Sequence, residues 1–144
     1  MDVPKWIEDI FYTYFTTEVT YADGNIPTTI PVSTFYDNEK GSITFTTTPA
    51  FYKKIRCIKQ NAKVSLLYSS PEHSRTDRKS VVLIKGDAAV HEEDLEENDR
   101  VMRDLMLMQQ DSRKKEVFAK LMKEIDSPLG RLMMDWYMIR LLIE

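Results

Sequence analysis

The sequence has few of the residues on which several specialised classes of protein depend. Its 144 residues include one cysteine, four glycines and two histidines. A single cysteine excludes a disulfide framework within the chain and predicts a reducing setting. No run of about 18 uncharged apolar residues occurs, and the first residues lack a basic segment, so neither a membrane span nor a signal peptide is predicted. We therefore expect a soluble, cytoplasmic protein.

Motifs of protein-based catalysis are also lacking. The sequence contains no Gly-x-Ser-x-Gly, no Walker phosphate loop and no Gly-x-Gly-x-x-Gly. His73 falls in a polar segment and His91 at a predicted strand end, which argues against a catalytic triad. The spacing of His91, Glu92 and Asp94 matches no zinc or calcium loop, so we expect no metal site. If the protein is an enzyme, a bound cofactor must supply the chemistry.

Length and charge define the broad class. With 42% hydrophobic residues, a chain of 144 residues can bury a core, and we predict one domain over residues 1–144. A net charge of −3 argues against a general nucleic-acid binder, which usually has a strongly basic domain. Positive charge is nevertheless concentrated in one segment. Residues 40–71 contain no Asp or Glu but six cations, namely Lys40, Lys53, Lys54, Arg56, Lys59 and Lys63.

A strand, a helix and a second strand are predicted within this cationic segment. Alternating apolar and hydroxyl side chains predict a strand with one buried face from Ser42 to Thr47, which Pro49 ends. Apolar residues at helical spacing predict a helix up to Asn61. Residues 62–68 then return to the alternation of a strand.

The start of the predicted helix is a candidate anion site. A helix N-terminus offers free N–H groups and a positive dipole end. Lys53 and Lys54 add point charges on the first turns, and Thr46 and Thr47 add hydroxyl donors just before them. The residues alone leave a second interpretation open, in which these cations form the solvated face of an amphipathic helix.

The segments before residue 42 predict a helix and two strands. A short amphipathic helix is expected over 3–12, with Asp2 as its N-cap and an apolar face formed by Val3, Trp6, Ile7, Ile10, Phe11 and Tyr14. Strands are predicted over 14–21 and 26–36, with a turn at Asp23-Gly24 between them. Pro27 and Pro31 would make the second strand an edge or bulged strand. These strands and the one ending at Thr47 would form a meander.

The segments after residue 68 predict a loop, a strand, helices and a last strand. Residues 69–79 are polar and predict a solvated loop, which could also contact substrate through His73, Arg75 or Arg78. Residues 80–90 are apolar on both faces and predict a central strand, in which Gly86 marks a bulge or a close backbone approach. We expect helices from His91, from Asp111-Ser112 and from Ser127-Pro128. The run 136–143 predicts a closing strand, with a helix as the alternative.

The segment around residues 45–66 resembles a known family. Its order FTTT, KK and RCIKQNAKVSL is similar to the flavin-contacting strand and helix of the pyridoxamine 5'-phosphate oxidase-like (FMN-binding split barrel) proteins. In that family a strand ending in Phe-Thr or Tyr-Thr precedes a basic helix and then Asn-Pro-Lys/Arg-Val-Ser-Leu. Ala62 stands in place of the proline, and one extra residue separates strand and helix. The resemblance covers most of the chain from residue 14 to residue 90.

The resemblance implies a fold, a cofactor and a site. The fold would be mainly β with flanking helices (α+β), a split barrel of about six antiparallel strands. FMN would lie at a homodimer interface and pass hydride between a donor and a small-molecule acceptor. The hydroxyls and lysines would hold its phosphate, and a stretch of backbone would lie along its ring. The nominated residues are Pro31, Val32, Ser33, Thr46, Thr47, Lys53 and Lys54.

The resemblance leaves several activities open. True pyridoxamine phosphate oxidases carry an Arg-x-His near the C-terminus, whereas residues 136–144 contain Arg140 and no histidine. We therefore reject that specific activity. A deazaflavin coenzyme, whose longer acidic tail suits the cationic segment, is an alternative to FMN. A non-catalytic member that binds flavin, haem or only partners is another, and haem would need His73 or His91 as a ligand.

Overall fold

The structure is a computed structural model that describes residues 3–14, 16–47, 51–69, 80–107, 123 and 137–142. Within these ranges the helices are α1 (Lys5–Thr13), α2 (Tyr52–Gln60) and α3 (Leu95–Leu107). The strands are β1 (Thr17–Asp23), β2 (Ile26–Val32), β3 (Thr34–Asp37), β4 (Ser42–Thr47), β5 (Lys63–Tyr68), β6 (Val82–His91) and β7 (Tyr137–Leu142).

The strands form one antiparallel sheet whose two edges meet. Its order is β2-β1-β5-β6-β7-β4-β3, so β2 and β3 lie at opposite ends. Only Ser33 separates Val32, the last residue of β2, from Thr34, the first of β3. Two residue steps span roughly 7 Å, so the sheet must curl until its outermost strands are neighbours. No ladder joins β2 to β3 in the described chain, and the barrel is therefore split rather than closed.

This topology corrects the prediction of one strand over 26–36. Thr17 pairs with Val32 on one side of the break, whereas Thr34 pairs with Phe45 on the other. The chain thus leaves one half of the sheet and enters the other at Ser33. The predicted meander is wrong because β2 and β3 share no ladder. The described sheet has seven strands, in agreement with the predicted barrel of about six. The edge position predicted for β2 is confirmed, as expected for a strand with two prolines.

The strand, helix and strand of the cationic segment are confirmed as β4, α2 and β5. The closing strand is confirmed as β7, which lies between β4 and β6. The prediction that β4 buries one face is wrong, because Ser42, Thr44 and Thr47 are buried as well as its apolar residues. Helix α3 contacts β3 and β7, the two neighbours of β4.

Strand β6 is central, as predicted, but only one of its faces is buried. Val82 and Ile84 belong to the core, whereas Val81 is 62% exposed and Leu83 is 56% exposed. Gly86 pairs with Val64 in an uninterrupted register with β5, so a bulge, the first of the two alternatives predicted there, is wrong.

The predicted helix start at His91 is also wrong. His91 is the last residue of β6, and α3 begins at Leu95. The Asp94 side chain caps the helix, because its Oδ1 accepts a hydrogen bond of 2.9 Å from the Glu97 backbone N–H. The polar side chain, rather than the histidine, therefore sets the helix start.

The core is an aromatic cluster between α1 and the inner face of the sheet. The Phe11 ring centroid lies 4.9 Å from that of Tyr36 and 5.2 Å from that of Tyr68. Burying side chains of this size stabilises the fold by about 1.5–3 kcal/mol each. Tyr12 is buried, whereas Trp6, predicted on the apolar face, is 47% exposed. Pro4 occupies the N-cap position of α1, so the prediction of Asp2 as the cap is wrong.

Several predictions fall outside the described residues. They concern most of the loop with His73, Arg75 and Arg78, the helices predicted from residues 111 and 127, and Pro49. Among the helices of the described ranges, none combines the length and the apolar character that crossing a bilayer requires.

Candidate cofactor site

The nominated residues Val32 and Ser33 lie where the chain passes from β2 to β3, and Thr46 and Thr47 are the last two residues of β4. Thr34, the residue after Ser33, pairs with Phe45, the residue before Thr46. Val32 pairs with Thr17 of β1. The ladder between β3 and β4 therefore ends at the residues adjacent to Ser33 and Thr46.

The hydroxyl of Thr47 is an unusual feature of this crossing. Thr47 is 4% exposed, and its Oγ1 is buried without a hydrogen-bond partner in the described part of the chain. An unpartnered buried hydroxyl costs about 1–3 kcal/mol, so a ligand atom that accepts its hydrogen bond would recover this energy. Ser42, at the other end of β4, has a similarly buried hydroxyl, but Thr47 lies at the end that precedes α2.

The start of α2 adds an uncapped helix end and a half-buried lysine. Phe51 occupies the N-cap position and makes no side-chain capping hydrogen bond. Lys54 is half-buried, and burial lowers the pKa of its ammonium. Its Nζ lies 5.2 Å from the centroid of the Phe51 ring, and no carboxylate of the described residues pairs with it. Among the described residues, Lys54 is thus a cation without a carboxylate counter-ion, at the positive end of a helix.

Lys53 is in a different environment. Its Nζ lies 2.5 Å from Oδ2 of Asp23, and this hydrogen bond raises the pKa of Lys53 and lowers that of Asp23. Asp23 is the last residue of β1, at the hairpin tip, whereas Val32 ends β2 at the far side. Six residue steps along a strand span roughly 20 Å. The ion pair with Asp23 therefore holds Lys53, and with it the first turn of α2, near the hairpin tip.

Sequence reasoning missed the partners of this lysine. Asp23 was interpreted as a turn residue only, yet it also accepts a weak hydrogen bond of 3.6 Å from the Cys57 thiol. Burial raises the pKa of Cys57, which keeps the thiol protonated. Lys53 and Cys57 are four positions apart and therefore share one face of α2. This spacing was the sequence signal that could have predicted a common partner for them. Asp23 therefore joins the β1–β2 hairpin to α2.

The other polar groups of the described ranges include one histidine. His91 is half-buried, and burial lowers the pKa of its imidazole. Within the described ranges, no three His, Cys, Asp or Glu side chains are close enough to hold a metal ion. A phosphate, by contrast, fits the hydroxyl of Thr47 and the ammonium of Lys54, because hydroxyl and ammonium groups are its usual partners.

No model of a known protein family matches the sequence, and no curated protein matches it. Solved structures with a similar fold do exist. One, from Listeria innocua, is provisionally assigned as a pyridoxamine 5'-phosphate oxidase. It is 16% identical to this chain, the match covers 96% of this chain and 91% of that chain, and the TM-score is 0.62. A FAD-binding protein from Mesorhizobium loti has 14% identity, with 99% and 91% covered and a TM-score of 0.61.

An F420 reductase is similar to the same extent, with 15% identity, 99% of this chain and 96% of that chain covered, and a TM-score of 0.62. The three structures differ in their described ligands and activities but share one architecture with this chain. The resemblance seen in the sequence is confirmed at the level of architecture: the chain has the fold of the pyridoxamine 5'-phosphate oxidase-like split barrels.

Proposed function

We propose that the protein binds FMN at the β2–β3 crossing and acts as an oxidoreductase on a small molecule. The observation that carries the proposal is the buried hydroxyl of Thr47, which has no hydrogen-bond partner among the described residues. This hydroxyl and that of Thr46 would donate hydrogen bonds to the phosphate, and the ammonium of Lys54 would neutralise it. Lys53 would contribute less, because Asp23 already binds it.

The chain's own residues would hold and orient the cofactor. Residues 31–33 present backbone groups along the crossing, where the split between β2 and β3 leaves no ladder in the described sheet. When bound, the flavin supplies the capacity to accept and release hydride. The sequence contains none of the protein-based catalytic motifs named above, which agrees with a protein that binds the cofactor and a cofactor that supplies the chemistry.

The proposed assembly is a homodimer. The outer face of the sheet exposes Leu83, and Leu67 lies directly opposite it in the register of β5 with β6. Val81 continues this apolar surface. An apolar row on a central strand is a typical contact surface of a symmetric dimer.

A deazaflavin coenzyme is the second candidate. The F420 reductase among the similar structures supports it. The six cations between residues 40 and 71, with no acid among them, suit a coenzyme with an extended acidic tail.

The absorbance spectrum of the purified protein tests the proposal and separates the two coenzymes. FMN absorbs in two bands in the near-ultraviolet and visible range, whereas deazaflavin has one. A yellow preparation that releases FMN on heating would support the first proposal. A colourless protein whose spectrum is unchanged on adding either coenzyme would contradict both.

Lys54→Ala tests the phosphate contact. We expect at least a tenfold rise in the dissociation constant for FMN, because a charge-assisted hydrogen bond to phosphate is worth roughly 1.5–3 kcal/mol. Quenching of FMN fluorescence on titration with the apo protein measures this dissociation constant. The melting temperature of the apo protein should barely change.

Two matched lysines serve as controls for this variant. Lys53→Ala should weaken FMN binding less than Lys54→Ala, because Asp23 already neutralises Lys53. Lys5→Ala removes an exposed charge from α1 and should leave the dissociation constant unchanged. Equal losses in all three variants would mean that only net charge matters, and the proposed contact would be wrong.

A further inference from the structure

A second concave site lies at the tip of the β1–β2 hairpin. A cavity of about 500 Å³ opens between the tip of the β1–β2 hairpin and strands β5 and β6. This volume lies in the range of small-molecule pockets. None of the seven nominated flavin residues lines the cavity. Pro27 at its rim and Val32 at the crossing belong to opposite ends of β2.

A row of polar side chains crosses the strands at this cavity. Thr20 of β1 pairs with Thr29 of β2 and with Ser65 of β5, and Ser65 pairs with Lys85 of β6. Their sequence neighbours, including Leu66, face the core, so the alternation of a strand places the row on the outer face. The Thr20 and Thr29 hydroxyls are 2.8 Å apart, and Thr20, Ser65 and Lys85 line the cavity.

The side chains around the cavity carry positive charge and donors but no carboxylate. Its charged lining residues are Lys63 and Lys85. The Nζ of Lys63 donates to Asp87, outside the lining, at 2.9 Å. Lys85 is exposed and has no ion pair within the described chain. Asn61 accepts a hydrogen bond from the Lys63 backbone N–H through Oδ1, which leaves its amide N–H groups as donors.

We propose that this cavity binds a small anion with phosphate or carboxylate groups, at a site separate from the flavin site. Hydroxyl, amide and ammonium donors converge on one concave surface, and Lys85 supplies a charge that no carboxylate of the described chain neutralises. Ala22 and Pro27 form an apolar wall beside these donors. A compact organic acid or a phosphorylated metabolite has anionic groups for these donors and an apolar part for this wall. The site does not depend on the flavin proposal.

Isothermal titration of the full chain with inorganic pyrophosphate and, separately, with citrate tests the site. We expect saturable binding of at least one of these anions by the wild-type protein. Lys85→Ala should raise the dissociation constant at least fivefold, while the exposed control Lys5→Ala should change it less than twofold. Tighter binding of pyrophosphate would identify a phosphorylated ligand, and tighter binding of citrate a carboxylate ligand.

Three results would overturn the proposal. The first is no heat of binding for either anion at millimolar concentration. The second is an equal loss in Lys85→Ala and Lys5→Ala, which would indicate a nonspecific effect of net charge. The third is a loss of anion binding in Lys54→Ala but not in Lys85→Ala, which would place the anion at the start of α2. FMN binding by Lys85→Ala is expected to equal that of the wild type, so failure of one site is distinguishable from failure of the other.

Discussion

Two adjacent lysines of the same helix have different partners. Lys53 is ion-paired with Asp23, whereas Lys54 is half-buried next to the Phe51 ring. Successive residues of a helix point about 100° apart, so neighbours in sequence face different surroundings. The sequence identified both as candidate phosphate ligands with equal weight. The structure favours Lys54, because its charge is not neutralised by any carboxylate of the described residues.

His91 provides a prediction about pH at the scale of one residue. Burial lowers its pKa, and the Arg140 guanidinium lowers it further, while Glu97 and Glu93 raise it. The folded state therefore binds fewer protons than the unfolded state just below the ordinary histidine pKa of about 6.5. Stability should fall as pH decreases through that value.

The measurement compares wild type with His91→Gln by thermal melting between pH 7.5 and pH 5. We expect the wild type to lose more stability than the variant over this range, because glutamine does not titrate. Carboxylates titrate in both proteins and cancel in the comparison. If the melting temperatures of the two proteins fall in parallel with pH, protonation of His91 does not contribute to the loss of stability.

At the scale of elements, the junction of β6 with α3 depends on two polar side chains. Asp94 caps the helix, and Asn98 is 5% exposed in its first turns. The Asn98 Nδ2 donates a hydrogen bond of 2.6 Å to the backbone carbonyl of His91, the last residue of β6. This contact ties the helix to the strand that precedes it. Asn98 follows a run of acids in the sequence, and no pattern there indicates its burial.

Asn98→Ala should destabilise the protein by about 1–2 kcal/mol. The His91 carbonyl would lose its partner, at a cost of about 1–3 kcal/mol, and the better helix propensity of alanine would offset about 0.5 kcal/mol of this. Urea denaturation measures the change. Glu96→Ala, an exposed change in the same turn, should remain within about 0.5 kcal/mol. Similar losses in both variants would mean that the Asn98 contact is not stabilising.

At the scale of the whole molecule, the curled sheet divides its surface into distinct regions. The inner face buries the aromatic core, the meeting of β2 and β3 forms the proposed flavin site, and the outer face exposes Leu83 and Val81. The apolar row through Leu67 and Leu83 lies beside the polar row through Ser65 and Lys85. Dimerisation through the first row would therefore bring a second copy close to the proposed anion site.

Leu83→Lys tests the dimer. A charged side chain on the apolar row would have to be desolvated at the interface, so we expect a dimer in the wild type and a monomer in the variant. Sedimentation velocity measures the mass in solution. Lys85→Ala, on the same strand and face, should remain dimeric. A monomeric wild type, or a variant that stays dimeric with unchanged affinity, would contradict the proposed interface.

Elements with a local signal could be predicted from the sequence alone. Alternation predicted β4 and β5, an aromatic and β-branched run predicted β7 with a helix as the alternative, and helical spacing predicted α2, because each pattern depends only on neighbouring residues. A local motif also identified the fold and nominated Thr47 and Lys54. The exposed face of β6 was misjudged, since hydrophobicity alone does not distinguish a residue that faces the core from one that faces a partner.

Contacts between residues that are distant in sequence could be identified only from the three-dimensional structure. The break at Ser33, the pairing of Lys53 with Asp23 and the burial of Asn98 each join parts of the chain that the sequence pattern treats separately. They depend on how the sheet curls and where α2 and α3 pack, which is set by the sum of many long-range contacts. A local sequence pattern contains no information about these long-range contacts. The crossing at Ser33 and the outer cavity therefore could not be predicted from the sequence.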